Sequence, residues 1–161
     1  MLHTEQEYKK TLHKMKEFEE HMRQVQQQLQ DEGYNTEEVE RAVGPLRNLY
    51  DDMKWEVDLY ERCQKGNFQG IQHDFGKMLI AYRIYRGWSQ AELARRLNVS
   101  RAQISKDESN EYHGISYVKA QRIMQVLGVQ LHSYLDPNGP QEDPSDESPS
   151  TFVGHGDFVI N

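Results

Sequence analysis

The chain has a single cysteine, Cys63, so it can form neither an intrachain disulfide nor a thiolate metal cluster. That fits a reducing compartment, and Cys63 itself reads as a helix residue without chemistry. No stretch approaches the roughly 18 consecutive apolar residues of a membrane span, and the opening M-L-H-T-E-Q-E lacks a basic segment followed by an apolar run. A soluble cytoplasmic protein without membrane association is expected. The histidines, at positions 3, 13, 21, 73, 113, 132 and 155, have no acidic or thiol neighbour at metal-ligand spacing. Phosphate-cradling glycine loops, a nucleophile elbow and the H-E-x-x-H pattern are also missing. The expectation is therefore no enzymatic activity, no metal and no cofactor.

What is present is a polar chain of 161 residues, 36% hydrophobic and 28% charged, enough for one modest core with helical extensions. Its net charge of −7 is unevenly distributed. Residues 1–70 carry 10 Lys+Arg against 15 Asp+Glu, and residues 136–161 carry none against 6. Residues 71–135 carry 9 against 5, a net +4. Only this middle segment has the sign that attracts a polyanion, and the local field governs docking more than the total charge does.

From Thr4 to about Asp31 there is no Pro or Gly, and Met15, Phe18, Met22, Val25 and Leu29 recur at steps of 3 and 4, which predicts an amphipathic helix. Gly33 supplies the positive φ of a helix end, and Asn35 with Glu38 forms a capping box for the next helix. That second stretch runs from Thr36 to about Lys65, with a kink or short break expected at Gly44-Pro45. Beyond it Leu46, Tyr50, Met53, Val57 and Tyr60 form another seam of heptad spacing. Residues 1–68 are thus expected to fold as a helical hairpin whose stripes pack on each other and on a second copy of the chain or another protein, with the middle domain, or packing within the monomer only, as alternatives. Gly66-Asn67-Phe68-Gln69-Gly70 reads as a linker, with Asp74 capping the helix that follows. Residues 136–161 read as a disordered tail, because 136–150 hold four Pro, five acids and three Ser. A frayed terminus is expected there, although the stretches 151–153 and 158–160 are apolar enough to dock on something. Trp55 and Trp88 are taken as core anchors.

Between Phe75 and Leu135 several short helices follow in quick succession. Ser89 with Glu92 makes a capping box opening A-E-L-A-R-R-L, and Ser100 with Gln103 makes another opening R-A-Q-I-S-K-D-E. Only Asn98 and Val99 separate them, and Asn tolerates the left-handed region that a sharp reversal needs. Leu93, Leu97, Val99 and Ile104 would face one another across the small Ala94, which is helix-turn-helix logic. Ser116 would cap a further helix with Val118, Ile123, Met124 and Leu127 inward, ended by Gly128.

The string R-I-Y-R-G-W-S-Q-A-E-L-A-R-R-L-N-V-S-R-A-Q-I-S-K-D-E resembles the first three helices of the phage-repressor-like, or Xre-type, helix-turn-helix regulators, and the resemblance runs from about Phe75 to Leu131. It implies an all-α protein in which residues 69–135 form a repressor-like bundle of four or five helices, the third entering the major groove. By position, Arg101, Ala102 and Lys106 fall where family members touch base edges, and Gln90 where they hold a phosphate. Arg101 could donate two hydrogen bonds to guanine and Ala102 could meet a thymine methyl. Ser100, Gln103 and Ser105 lie on the same helix, and Gln103 either serves only its cap or also reaches a base. Asn110, Tyr112 and Lys77 are candidates for phosphate contacts. The resemblance also pairs Arg83 with Glu108. Asp107 departs from the family pattern, which has an apolar residue packed inward there, and is expected to cap the next loop or to pair with a nearby basic group.

Two functional readings follow. One is a homodimeric repressor on a palindromic operator in double-stranded DNA. The other is an antitoxin that also neutralises a partner toxin, through the hairpin or the acidic tail, while repressing its own operon. A pure interaction module that no longer reads DNA is a third.

Overall fold

In the computed structural model, residues 1–133 and the strand 156–160 are described. Six helices precede a two-stranded ribbon: α1 (Glu5–Asp31), α2 (Thr36–Gln64), α3 (Phe75–Tyr85), α4 (Gln90–Leu97), α5 (Arg101–Ser109), α6 (Tyr117–Leu127), β1 (Val129–Ser133) and β2 (Gly156–Ile160). Of the expected disordered tail, 136–161, only the strand 156–160 is among the described residues.

α1 begins at Thr4, whose hydroxyl accepts from the Glu7 backbone while the Glu7 carboxylate reaches back to the Thr4 backbone. Such a reciprocal box satisfies two of the donors that a helix start leaves open. Gly33, at φ +87°, ends the helix, and Asn35 with Glu38 forms the second complete box. α2 runs through Pro45 without interruption, so the break expected at Gly44-Pro45 does not occur. A proline removes one backbone donor, and here the helical turns on either side carry the chain across it.

The two long helices form the expected antiparallel hairpin. Near its base Tyr8 stacks on Tyr60, with ring centroids 4.9 Å apart, and donates to Glu61 at 2.8 Å. Further out Tyr50 bonds to Glu19. No residue of α1 is buried, so Met15, Phe18, Met22, Val25 and Leu29 are only half covered by α2. Trp55, expected to anchor the core, is 54% exposed.

The base of the hairpin is not a separate body. Val57, Leu59, Tyr60 and Cys63 share one apolar cluster with Leu2, Ile71, α3 and the helices beyond. Burial pushes the Cys63 thiol up to about 11, which removes thiolate chemistry at neutral pH. The expected linker is packed as well, since the Phe68 ring lies 4.8 Å from that of Tyr82. α3, capped by Asp74, sits at the centre with nearly every residue from Met78 to Ile84 buried. Val118, expected inward on α6, is instead 74% exposed, while Ile123 and Leu127 are buried. A ribbon that no residue pattern announces closes the described fold: β1 and β2 pair antiparallel with Val129 opposite Ile160 and Leu131 opposite Phe158.

One close approach is decisive. A Cβ on Gly76 would lie 1.8 Å from the Glu111 carbonyl oxygen, a backbone atom that cannot step aside. Gly76→Ala is therefore expected to destabilise the fold by about 1–3 kcal/mol, read as a lower urea midpoint at unchanged slope.

Candidate nucleic-acid interface

α4 starts at Ser89 and α5 at Ser100, each hydroxyl accepting from the backbone three residues on at 3.1 Å. Only this half of each expected capping box forms. The Glu92 carboxylate turns to Arg95 and Arg96 instead, and the Gln103 amide turns to Asp107. Between the helices Asn98 adopts φ 54°, ψ 48°, the left-handed conformation that reverses the chain. Leu93, Ala94, Leu97 and Ile104 are buried in the angle, whereas Val99 remains partly exposed.

Arg83 and Glu108 fix how α5 sits. The guanidinium meets the carboxylate through Nε to Oε1 at 2.5 Å and Nη2 to Oε2 at 2.7 Å, with Arg83 3% exposed and Glu108 fully buried. Nη1 donates to the Trp88 carbonyl at 2.7 Å and Nη2 to the His3 carbonyl at 2.6 Å. Every partner of this pair comes from a different segment, so one buried charge ties the amino terminus, α3, the α3–α4 turn and α5 together.

Gln90 belongs to the same network, which corrects its expected role on phosphate. It is 6% exposed and donates to Glu108 at 3.0 Å, so the amide faces inward. Tyr112 is a second correction. Glu111 and Tyr112 both have positive φ, and this turn carries the ring inward to 4% exposure, where its hydroxyl has no hydrogen-bond partner and burial raises its pKa. Lys77 is the third, because Asp74 at 2.9 Å and Glu111 at 3.5 Å already neutralise it. Asn110 is exposed, but its amide donates to the His113 carbonyl at 3.2 Å.

The outward face of α5 is set by its two buried residues, Ile104 and Glu108. At about 100° per residue Lys106 lies opposite them, with Ala102 about 40° to one side and Gln103 about 60° to the other. Arg101, Ala102, Gln103 and Lys106 are all exposed, and Ser105 is half covered. Ser100 is exposed at the cap. Arg101 lines a cleft of about 450 Å³ together with Thr4, Glu5 and Gln6 of the amino-terminal segment.

The charges resolve in the same direction. Every acid of the segment 71–135 is paired: Asp74 and Glu111 with Lys77, Glu92 with Arg95 and Arg96, Asp107 with Lys119, and Glu108 with Arg83. Arg86, Arg101, Lys106 and Arg122 are left without a carboxylate, and they carry the net +4. Two of these four are on α5. Arg122 on α6 was not foreseen, since its isolated place in the sequence gives no sign that it lines a groove with Gln103 and Lys119.

The comparisons agree with this geometry. Residues 79–133 match a family model described as Helix-turn-helix. By this match the segment is similar to the Xre-type helix-turn-helix regulators. The family is one of DNA-binding transcriptional regulators and is not enzymatic. The helix-turn-helix match leaves α1 and α2 outside it. No curated protein matches the chain, and no solved structure does. Among the described residues no helix is long and apolar enough to cross a membrane.

Two expectations follow. Glu108→Ala would leave the Arg83 charge buried and unpaired, at a cost of about 3–5 kcal/mol in denaturant unfolding. His3 contributes a pH dependence. Burial holds its imidazole below the ordinary value of 6.5, the largest influence, against the raising effect of Glu7 and Glu108. The unfolded chain takes up a proton at His3 near pH 6.5, whereas the folded chain does so only lower down. The His3 contribution is thus full above pH 6.5 and is lost as pH falls below it. The loss of melting temperature between pH 7.5 and 5 should be smaller in His3→Gln than in the unaltered protein.

Proposed function

We propose that the protein is a sequence-specific transcriptional repressor that binds a palindromic operator as a homodimer, with α5 as its reading helix. The observation that carries this is the pair of exposed, unneutralised cations on α5, Arg101 in its first turn and Lys106 opposite its buried side, on a helix whose docking is fixed by the buried Arg83–Glu108 pair. Free cations seek phosphates and guanine edges, and a rigid mount gives that search a register. In this reading Arg101 takes guanine O6 and N7 together, Lys106 follows about 7.5 Å along the helix axis, and Ala102 meets a thymine methyl. Arg122 and Arg86 supply phosphate contacts, in place of the buried Gln90 and Tyr112 and the paired Lys77.

The hairpin supplies the joint. α1 buries none of its residues, so its half-covered stripe of Met15, Phe18, Met22, Val25 and Leu29 gains from a second hairpin laid against it. Two such bodies would set the reading helices about 34 Å apart, one turn of DNA. The same face supports a second reading, an antitoxin whose hairpin holds a partner toxin while the helix-turn-helix domain represses the shared operon. Light scattering of the purified chain separates them: a dimer in isolation favours the repressor, and a monomer that associates only with a co-expressed neighbouring protein favours the antitoxin.

Selection of bound DNA from a random pool tests the reading itself. A two-fold symmetric motif is expected. Arg101→Ala should cost about 1–3 kcal/mol and relax one base position in each half-site. Arg122→Ala should weaken all sequences alike and lower the salt slope by about 1. Equal losses on every sequence for both variants would remove Arg101 from base reading.

A further inference from the structure

Asp107 does not pack inward as its counterparts in the family pattern do; it links two side chains. Lys119 of α6 reaches its Oδ2 at 2.6 Å, and the Gln103 amide nitrogen donates to its Oδ1 at 2.9 Å. Lys119 and Asp107 are both partly covered, while Gln103, one helical turn before Asp107, is exposed. The charge of Lys119 therefore holds a carboxylate in place, and the carboxylate holds the end of a side chain that would otherwise swing freely.

The chemistry of the link sets which way the Gln103 amide points. A carboxylate paired with a lysine is only an acceptor, so it takes the NH₂ end of the amide and repels the carbonyl end. One N–H is committed to Asp107. What remains for another partner is the carbonyl oxygen and the second N–H, one acceptor and one donor on an exposed side chain. In the major groove adenine offers the complement, a donor at N6 and an acceptor at N7, whereas guanine offers two acceptors and would set O6 against the amide carbonyl.

Position agrees with polarity. Gln103 lies about 60° round the helix from Lys106, the residue most directly opposed to the buried face, so it stands at the flank of the same stripe. It also lines the groove between α5 and α6 beside the unpaired Arg122, a cation suited to anchor the backbone next to that base.

We infer that Gln103 reads an adenine in the operator, and that Lys119 and Asp107 act as positioning residues that lock its amide in the adenine-accepting orientation. The inference rests on the DNA-binding reading above and adds a base identity to it. It also gives Asp107 a role: the carboxylate orients a reading side chain where an apolar residue would only fill space.

The test is selection of bound DNA with the full-length chain and its Gln103→Met, Asp107→Asn and Lys119→Met variants, with thermal melting of each as a check on folding. The unaltered protein should select adenine over guanine about tenfold at one position of each half-site. Gln103→Met, at an exposed site, should abolish that preference and leave the rest of the motif intact. Asp107→Asn can donate as well as accept, so it no longer fixes the amide, and it should relax the same position alone. Lys119→Met should weaken the same preference less than Gln103→Met does. A motif that Gln103→Met leaves unchanged, or a guanine at the position Gln103 controls, would overturn the inference while leaving the DNA-binding reading in place. Relaxation of every position together by Asp107→Asn, in a protein that still melts normally, would reduce Asp107 to a structural contact and overturn the positioning role. Failure of the unaltered protein to select any motif would defeat the DNA-binding reading first.

Discussion

The buried pair of Arg83 and Glu108 is the constraint on which the rest of the molecule depends. Two charges removed from water are tolerable only when their remaining hydrogen-bonding capacity is met, and here three further residues meet it. Glu108 receives two bonds from Arg83 and one from Gln90, and Arg83 also donates to the Trp88 and His3 carbonyls. Apolar contact alone would let the short α5 slide or rotate against α3 at small cost. A charged network has no such freedom, because a small displacement exposes an unpaired donor. The exposed face of α5 inherits its orientation from that rigidity.

The same pair joins the hairpin to the reading domain. The amino-terminal segment lays the His3 carbonyl on Arg83 and inserts Leu2 among the core side chains, while Val57, Leu59, Tyr60 and Cys63 bring in the far end of α2. A body formed by dimerised hairpins would thus be fixed to its reading helix without a loose linker. In a dimer of this kind the spacing of half-sites is set by packing. The stretch from Gly66 to Gly70 looks like a linker by composition, yet its Phe68 ring packs against Tyr82 and Tyr85 of α3 and stiffens the connection.

The pattern of charge sorts the basic residues into two kinds. Lys77, Arg83, Arg95, Arg96 and Lys119 are held by carboxylates and hold the structure, or orient it. Arg86, Arg101, Lys106 and Arg122 have none and are available to a polyanion. Counting basic residues cannot make this division. In a chain of net charge −7, neutralisation of acids by neighbours on the same surface leaves one region where positive charge survives.

Much of this was determined by the sequence alone, because it is local. The Asn35–Glu38 box, the caps at Asp74, Ser89, Ser100 and Ser116, the left-handed Asn98 and the terminating Gly33 and Gly128 each depend on residues within one turn of each other, so their spacing is their geometry. The helical hairpin and the helix-turn-helix were legible for that reason, and Arg83 with Glu108 through the family resemblance. Tertiary structure alone decided what depends on distant partners. It turned Gln90 and Tyr112 inward, neutralised Lys77, left Val118 and Trp55 in solvent, paired β1 with β2 and brought Lys119 to Asp107. The physical reason is that burial and ion pairing are properties of what lies across the chain fold, and a periodic pattern can announce that a partner exists without saying which residue it is.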